Sequence, residues 1–173
     1  MPIKIFFDFH DIFVDARTAW IKSFIFFNNS QSIIDDYINK MSKKDICIKY
    51  KLDYKKVEEK YREYLKKNSE NILFAQKLAR KYDLSICSLS AKSRLEKDMD
   101  KFALNSLFKE IYSKNDVVSK KEFLMKFANY NFVIYFTHEV KKIEEYENLV
   151  YIPIEYKIDV KILKKYGIMI KNK

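Results

Sequence analysis

Glycine is almost missing from this chain of 173 residues: Gly167 is the only one. P-loops and dinucleotide fingerprints need several glycines where backbone amides cradle a phosphate, so both are excluded. Proline occurs only at Pro2 and Pro153, and cysteine only at Cys47 and Cys87. Two cysteines far apart, each inside an apolar run, make neither a disulfide framework nor a metal quartet; they read as reduced core residues, and a cytosolic setting is expected. No apolar stretch approaches the roughly 20 residues of a membrane span, and the opening MPIKIFFDF lacks the charged-then-apolar form of an export signal. No membrane partner is expected. Histidine is scarce too, at His10 and His138, and only four of the 34 basic residues are arginine (Arg17, Arg62, Arg80, Arg94).

What the chain does hold is hydrophobic residues at 48% and aromatics at 16%, too many for a disordered chain despite 34% charge. The length suits one core, or a core with a small module. The net charge of +10 invites a nucleic-acid reading. Against it, the lysines alternate with acids, as in KKVEEKYREYLKK, which describes a solvated helix face, and base readout favours arginine. Abundant Lys, Ile, Asn, Tyr and Phe resemble the codon bias of an AT-rich genome. The tail 157–173 is more purely basic and is the best candidate for a weak anionic contact.

Periodicity gives a strand at Ile3 to Phe7, then helical patterns to Tyr82. Trp20, Phe24 and Phe27 form one stripe, and Ile33, Ile34, Tyr37, Ile38 and Met41 the next. Ser42 with Asp45 resembles a capping box, and Asp53 can cap a helix carrying Val57, Tyr61, Tyr64 and Leu65. Ile72, Ala75, Leu78, Ala79 and Tyr82 build a helix face leading into the strand LSICS. A helix marked by Leu95, Met99 and Phe102 follows, then a short strand EIYS, a helix with Phe123, Leu124 and Phe127, and the strand NFVIYF. A short helical stretch, the strand LVYIPI and a terminal helix with Val160, Leu163 and Lys164 complete the reading. Strands alternating with helices specify a three-layer, doubly wound α/β fold with a parallel sheet. A helical insertion follows the first strand, so 1–15 and 71–173 are expected to form the core and 16–70 a cap.

The ends of two apolar strands hold the interesting chemistry, in IFFDFHDIFVDA and NFVIYFTHE, because ligands of open α/β sheets collect at carboxyl strand ends. Asp8, His10, His138 and Glu139 fall there. An incidental role for either histidine alone is the plainer reading, which their matching positions weaken. The mixed imidazole and carboxylate set suits zinc, manganese or iron. Ser90 reads as a helix cap in preference to a nucleophile, and Asp15 as the cap of the first helix.

Four segments, in order, resemble the haloacid dehalogenase-like (HAD) superfamily, over about the whole chain. IFFDFHDIFVDA is similar to the family's first motif, an apolar strand ending in D-x-D. LSICSLSAKSRLEKDMDKFALNSLFKEIYS is similar to the second motif and its sequel. KKEFLMKFA resembles the helix carrying the third-motif lysine, and NFVIYFTHEVKKIEEYENLVYIPI the fourth-motif strand, its acidic loop and the next strand. The resemblance implies a Rossmann-type core, a helical cap, magnesium as cofactor and a small phosphorylated substrate. It makes Asp8 the nucleophile that attacks phosphorus, Ser88 the hydroxyl that holds the phosphoryl group, and Lys120, or Lys121 one residue on, the lysine that neutralises it.

This sequence departs from the pattern in two places that matter. His10 replaces the second aspartate, the general acid and base of the family; histidine can do that work near neutral pH. Thr137 and His138 stand where Gly and Asp are usual, and Lys142 where a further acid is usual. Magnesium wants oxygen ligands, and Glu139 is the adjacent carboxylate left to compensate. Ile12 also stands where Thr or Val is usual. The expectation is therefore a divergent phosphohydrolase with an altered metal site; the alternatives are an inactive binding or regulatory module and a nucleic-acid-binding or nuclease-like protein.

Overall fold

A computed structural model describes residues 1–154 and 160–168, with nothing given for the Val160 side chain. Of the basic tail, 157–159 and 169–173 lie outside the described residues. The chain divides into two compact units, one of Met1–Phe13 with Asn68–Lys173 and one of Val14–Lys67. No described helix is long and apolar enough to cross a membrane.

The first unit is built on a six-stranded, mostly parallel sheet in the order β3-β2-β1-β4-β6-β5. Its strands are β1 (Ile3–Phe7), β2 (Leu84–Cys87), β3 (Glu110–Tyr112), β4 (Phe132–Thr137), β5 (Glu144–Tyr146) and β6 (Leu149–Pro153). The central strands are near-continuous runs of Ile, Val, Phe and Tyr, the pattern of strands covered on both faces. Alternation sorts their side chains. Phe6 turns to one face and packs on Phe127 of the helix Lys120–Ala128, ring centroids 5.1 Å apart. Phe7 turns to the other and meets Phe13 at 5.2 Å, while stacking on Phe136 of β4 at 4.7 Å. The helices of this unit are α5 (Ser69–Ala79), α6 (Lys92–Lys101), α7 (Lys120–Ala128) and α8 (Val160–Lys165).

β1 pairs in parallel with both β2 and β4. The chain moves outward from β1 through β2 to β3, then returns to the opposite side of β1 with β4. Such a reversal is the place where sheets of this kind take ligands, beyond the carboxyl ends of the strands, here β1 and β4. Asp8 and His138 begin the loops there.

One element departs from the sequence reading. The stretch before LVYIPI is not helical: Glu144–Tyr146 is a strand, antiparallel to β6, with Tyr146 opposite Leu149. Glu147, at φ 44°, supplies the left-handed residue that a two-residue hairpin turn requires. Tyr146 packs edge-on against Tyr151 at 5.7 Å, and this burial outweighs the helical look of KKIEEYE.

The second unit holds α1 (Ala16–Phe27), α2 (Gln31–Ile38), α3 (Lys43–Lys49) and α4 (Tyr54–Tyr64). Local signals start three of them: the side chains of Asp15, Ser42 and Asp53 accept from Thr18, Asp45 and Lys55 amides. Trp20 of α1 stacks on Tyr61 of α4, centroids 4.3 Å apart and planes 17° from parallel. Val14 bridges Lys67, bringing the two ends of the unit together.

Glycine scarcity marks the helix ends. Lys40, Lys51 and Ala103 each follow a helix C-cap with positive φ, at 67°, 53° and 54°. After each, the next amide reaches back as in a Schellman turn: Met41 to Asp36 O, Leu52 to Cys47 O and Leu104 to Met99 O. Only after α8 does Gly167, φ 74°, fill that position, where Ile168 N reaches Leu163 O.

Candidate active site at the carboxyl ends of the central strands

Asp8 is 4% exposed and held on both sides. Its amide donates to Phe136 O of β4 at 2.9 Å, and its Oδ1 accepts from Phe9 N at 2.9 Å. Its Oδ2 faces Lys120 Nζ at 2.6 Å. The same ammonium donates to Glu139 Oε1 at 2.8 Å, so Lys120 bridges the two carboxylates. Helix α7, capped by Ser119, brings Lys120 there. Lys121 points elsewhere, its ammonium 4.0 Å from the Tyr146 ring centroid.

Burial is the largest influence on Lys120 and acts to lower its pKa, but Asp8 and Glu139 together outweigh it. The ammonium is held above its ordinary value. Around it, Tyr135 is pushed well up by burial, with the Asp8 and Glu139 charges adding to the effect. The Cys87 thiol is pushed up to about 12, chiefly by burial. Such a thiol is unreactive.

Ser88 follows β2 with its amide on Tyr112 O at 2.9 Å. Its hydroxyl accepts from Ser90 N at 3.2 Å. Thus Asp8, Ser88 and Lys120 follow or open elements at one end of the sheet. His138 lies beside Asp8, Nδ1 3.6 Å from Asp8 Oδ2 and Nε2 4.0 Å from Asp11 Oδ2.

His10 goes another way. Its Nε2 is 3.0 Å from Asp98 Oδ2 and its Nδ1 3.0 Å from Ser90 Oγ, so both ring nitrogens are engaged. The set Asp8, His10, His138 and Glu139 is therefore only partly brought together: Asp8, His138 and Glu139 gather near Lys120, while His10 turns toward α6. Asp8 Oδ2 and Glu139 Oε1 both accept from the Lys120 ammonium. Among the described residues no group of three or more His, Cys, Asp or Glu side chains is arranged to hold a metal ion.

Two residues acquire parts the sequence reading did not give them. Ser90 does not cap α6; Ala91 occupies the N-cap position without a side-chain hydrogen bond, and the Ser90 hydroxyl meets His10. Asp98 is fully buried on α6 beside Leu95 and Met99. Its signal was present in the helical spacing, where a carboxylate falls on the apolar stripe three residues after Leu95.

An α/β sheet of this order, with an aspartate ending β1, a serine after β2 and a lysine opening α7, defines a HAD-like fold. Solved structures agree. A proposed beta-phosphoglucomutase from Thermotoga maritima is similar at TM-score 0.66 and 10% identity, over 95% of this chain and 99% of that one. A HAD-superfamily hydrolase of subfamily IA from Geobacter sulfurreducens gives 0.58 at 11%, over 80% and 79%. The magnesium-bound structure of the proposed HAD-hydrolase YfnB from Bacillus subtilis gives 0.56 at 16%, over 78% of each chain. No family model matches the sequence. No curated protein matches it either.

Proposed function

We propose that this protein is a HAD-like phosphohydrolase acting on a small phosphorylated compound through an aspartyl-phosphate on Asp8. The observation that carries the reading is the buried Asp8 carboxylate with Lys120 Nζ at 2.6 Å, at the carboxyl end of the sheet. A carboxylate oxygen of Asp8 forms the bond to phosphorus as the ester oxygen leaves, and water later cleaves the acyl phosphate. Lys120 passes from the carboxylate to a phosphoryl oxygen and offsets the charge gathering there, with the Ser88 hydroxyl as a second donor. His10, oriented by Asp98, is the acid and base, and its route to the reacting atoms runs by way of the Ser90 hydroxyl. The helical unit Val14–Lys67 is read as the cap that selects the substrate.

A second reading has its own support. Among the described residues no group of three or more His, Cys, Asp or Glu is arranged to hold a metal ion, which suits a HAD-like protein that keeps the fold for binding. Hydrolysis of p-nitrophenyl phosphate, screened with magnesium, manganese, cobalt, zinc and iron(II), separates the two. Turnover that Asp8→Asn abolishes supports the phosphohydrolase. If no metal elicits activity that the variant loses, the binding reading stands instead.

A further inference from the structure

Ser90, His10 and Asp98 lie in one chain of hydrogen bonds, with 3.0 Å at each step. The Asp98 carboxylate can only accept, so a neutral His10 ring carries its hydrogen on Nε2. The Nδ1 lone pair then faces Ser90, and the hydroxyl is the donor. A nucleophile within reach of a base, and that base oriented by a buried third group, is the arrangement that activates serine for attack. Three further observations favour chemistry over mere packing. The hydroxyl beside the start of α6 is spent on His10, although the N-cap there is an alanine that leaves the cap unmade. Asp98 is a carboxylate with no exposed surface, and one of its oxygens is spent on His10. Ser90 itself is only half-buried.

We propose that Ser90 is a nucleophile served by His10 and positioned by Asp98, and that it gives the protein a second activity toward carboxylic esters. In the first step Ser90 Oγ bonds to the ester carbonyl carbon while His10 Nδ1 takes the hydroxyl proton. The bond to the alkoxide breaks, and the alkoxide leaves with that proton. Water, deprotonated by the same nitrogen, then attacks the acyl-serine and releases the acid, restoring the Ser90 hydroxyl. Ser90 follows β2 and leads into α6, and the first amides of that helix are the donors assigned to the carbonyl oxygen as it becomes charged.

A fluorophosphonate probe tests this directly, because it reacts with an activated serine and needs no phosphate-ester turnover. The expected result is one adduct, mapped by peptide mass spectrometry to Ser90, absent in Ser90→Ala and forming at least tenfold more slowly in Asp98→Asn. Hydrolysis of p-nitrophenyl butyrate should be lost in Ser90→Ala as well. No adduct on the wild-type protein, or an adduct that persists in Ser90→Ala, overturns the proposal. Adduct without p-nitrophenyl phosphate turnover supports this site and counts against Asp8 chemistry; turnover without adduct does the reverse.

Discussion

Lys120 Nζ and Asp8 Oδ2 stand 2.6 Å apart, their side chains 8% and 6% exposed, a buried ion pair whose ammonium also reaches Glu139. Removing one partner of such a pair leaves a buried charge uncompensated, at a cost of about 3–5 kcal/mol. Lys120→Met is expected to lower unfolding stability by about 3 kcal/mol in urea titration. The double variant Asp8→Asn, Lys120→Met should recover part of that loss. Additive losses in the double variant would show that the pair is not coupled.

The Cys87 thiol gives a pH dependence of known sign. Its ordinary pKa of 9.0 is raised to about 12 in the folded protein. The contribution is complete below about pH 9 and is lost as pH rises toward 12, because the unfolded chain gives up its thiol proton first. One proton corresponds to a fall of at most about 1.4 kcal/mol per pH unit. Stability of the wild-type protein between pH 9 and 11 should drop more steeply than that of Cys87→Ala. Parallel curves would show that the thiol does not set the slope.

Lys40, Lys51 and Ala103 hold left-handed conformations that cost little for glycine, and all three are exposed, so no packing is lost on replacement. Lys40→Gly, Lys51→Gly and Ala103→Gly are each expected to stabilise the protein by about 0.5–1 kcal/mol, against the usual direction of glycine substitution in helices. Thermal melts of the single variants check this. Lower melting temperatures for all three would contradict the backbone assignment.

The single tryptophan lies in the Val14–Lys67 unit, stacked on Tyr61, so its fluorescence follows that unit alone. Tyr61→Ala removes a fully buried ring and should cost about 3–5 kcal/mol. The fluorescence transition should move to lower urea. If it does not shift, Tyr61 is not a core residue of the unit.

Particular residues explain how far the sequence could be read. β1 and β4 were legible as uninterrupted apolar runs, and the structure puts the acid that follows β1 against Lys120. The lysine was narrowed to two neighbours, and the helical phase of α7 puts Lys120, not Lys121, on Asp8. The direction of the His10 ring was not legible, because its partners Ser90 and Asp98 are 80 and 88 residues away in sequence. Strand β5 was missed for a related reason: its pairing depends on a turn made by Glu147, a residue with no turn signature of its own.

The two edges of the sheet carry a consequence for how copies of this protein meet. β3 and β5, at opposite edges, are each three residues long, and each begins with a glutamate. An edge that short offers an incoming strand few unpaired amides, and the carboxylate discourages a like-charged neighbour from docking in register. A chain rich in the aromatic and branched residues that favour cross-β stacking thus keeps its long apolar strands β1 and β4 in the interior of the sheet. Those strands become available as templates for aggregation only when the sheet itself opens.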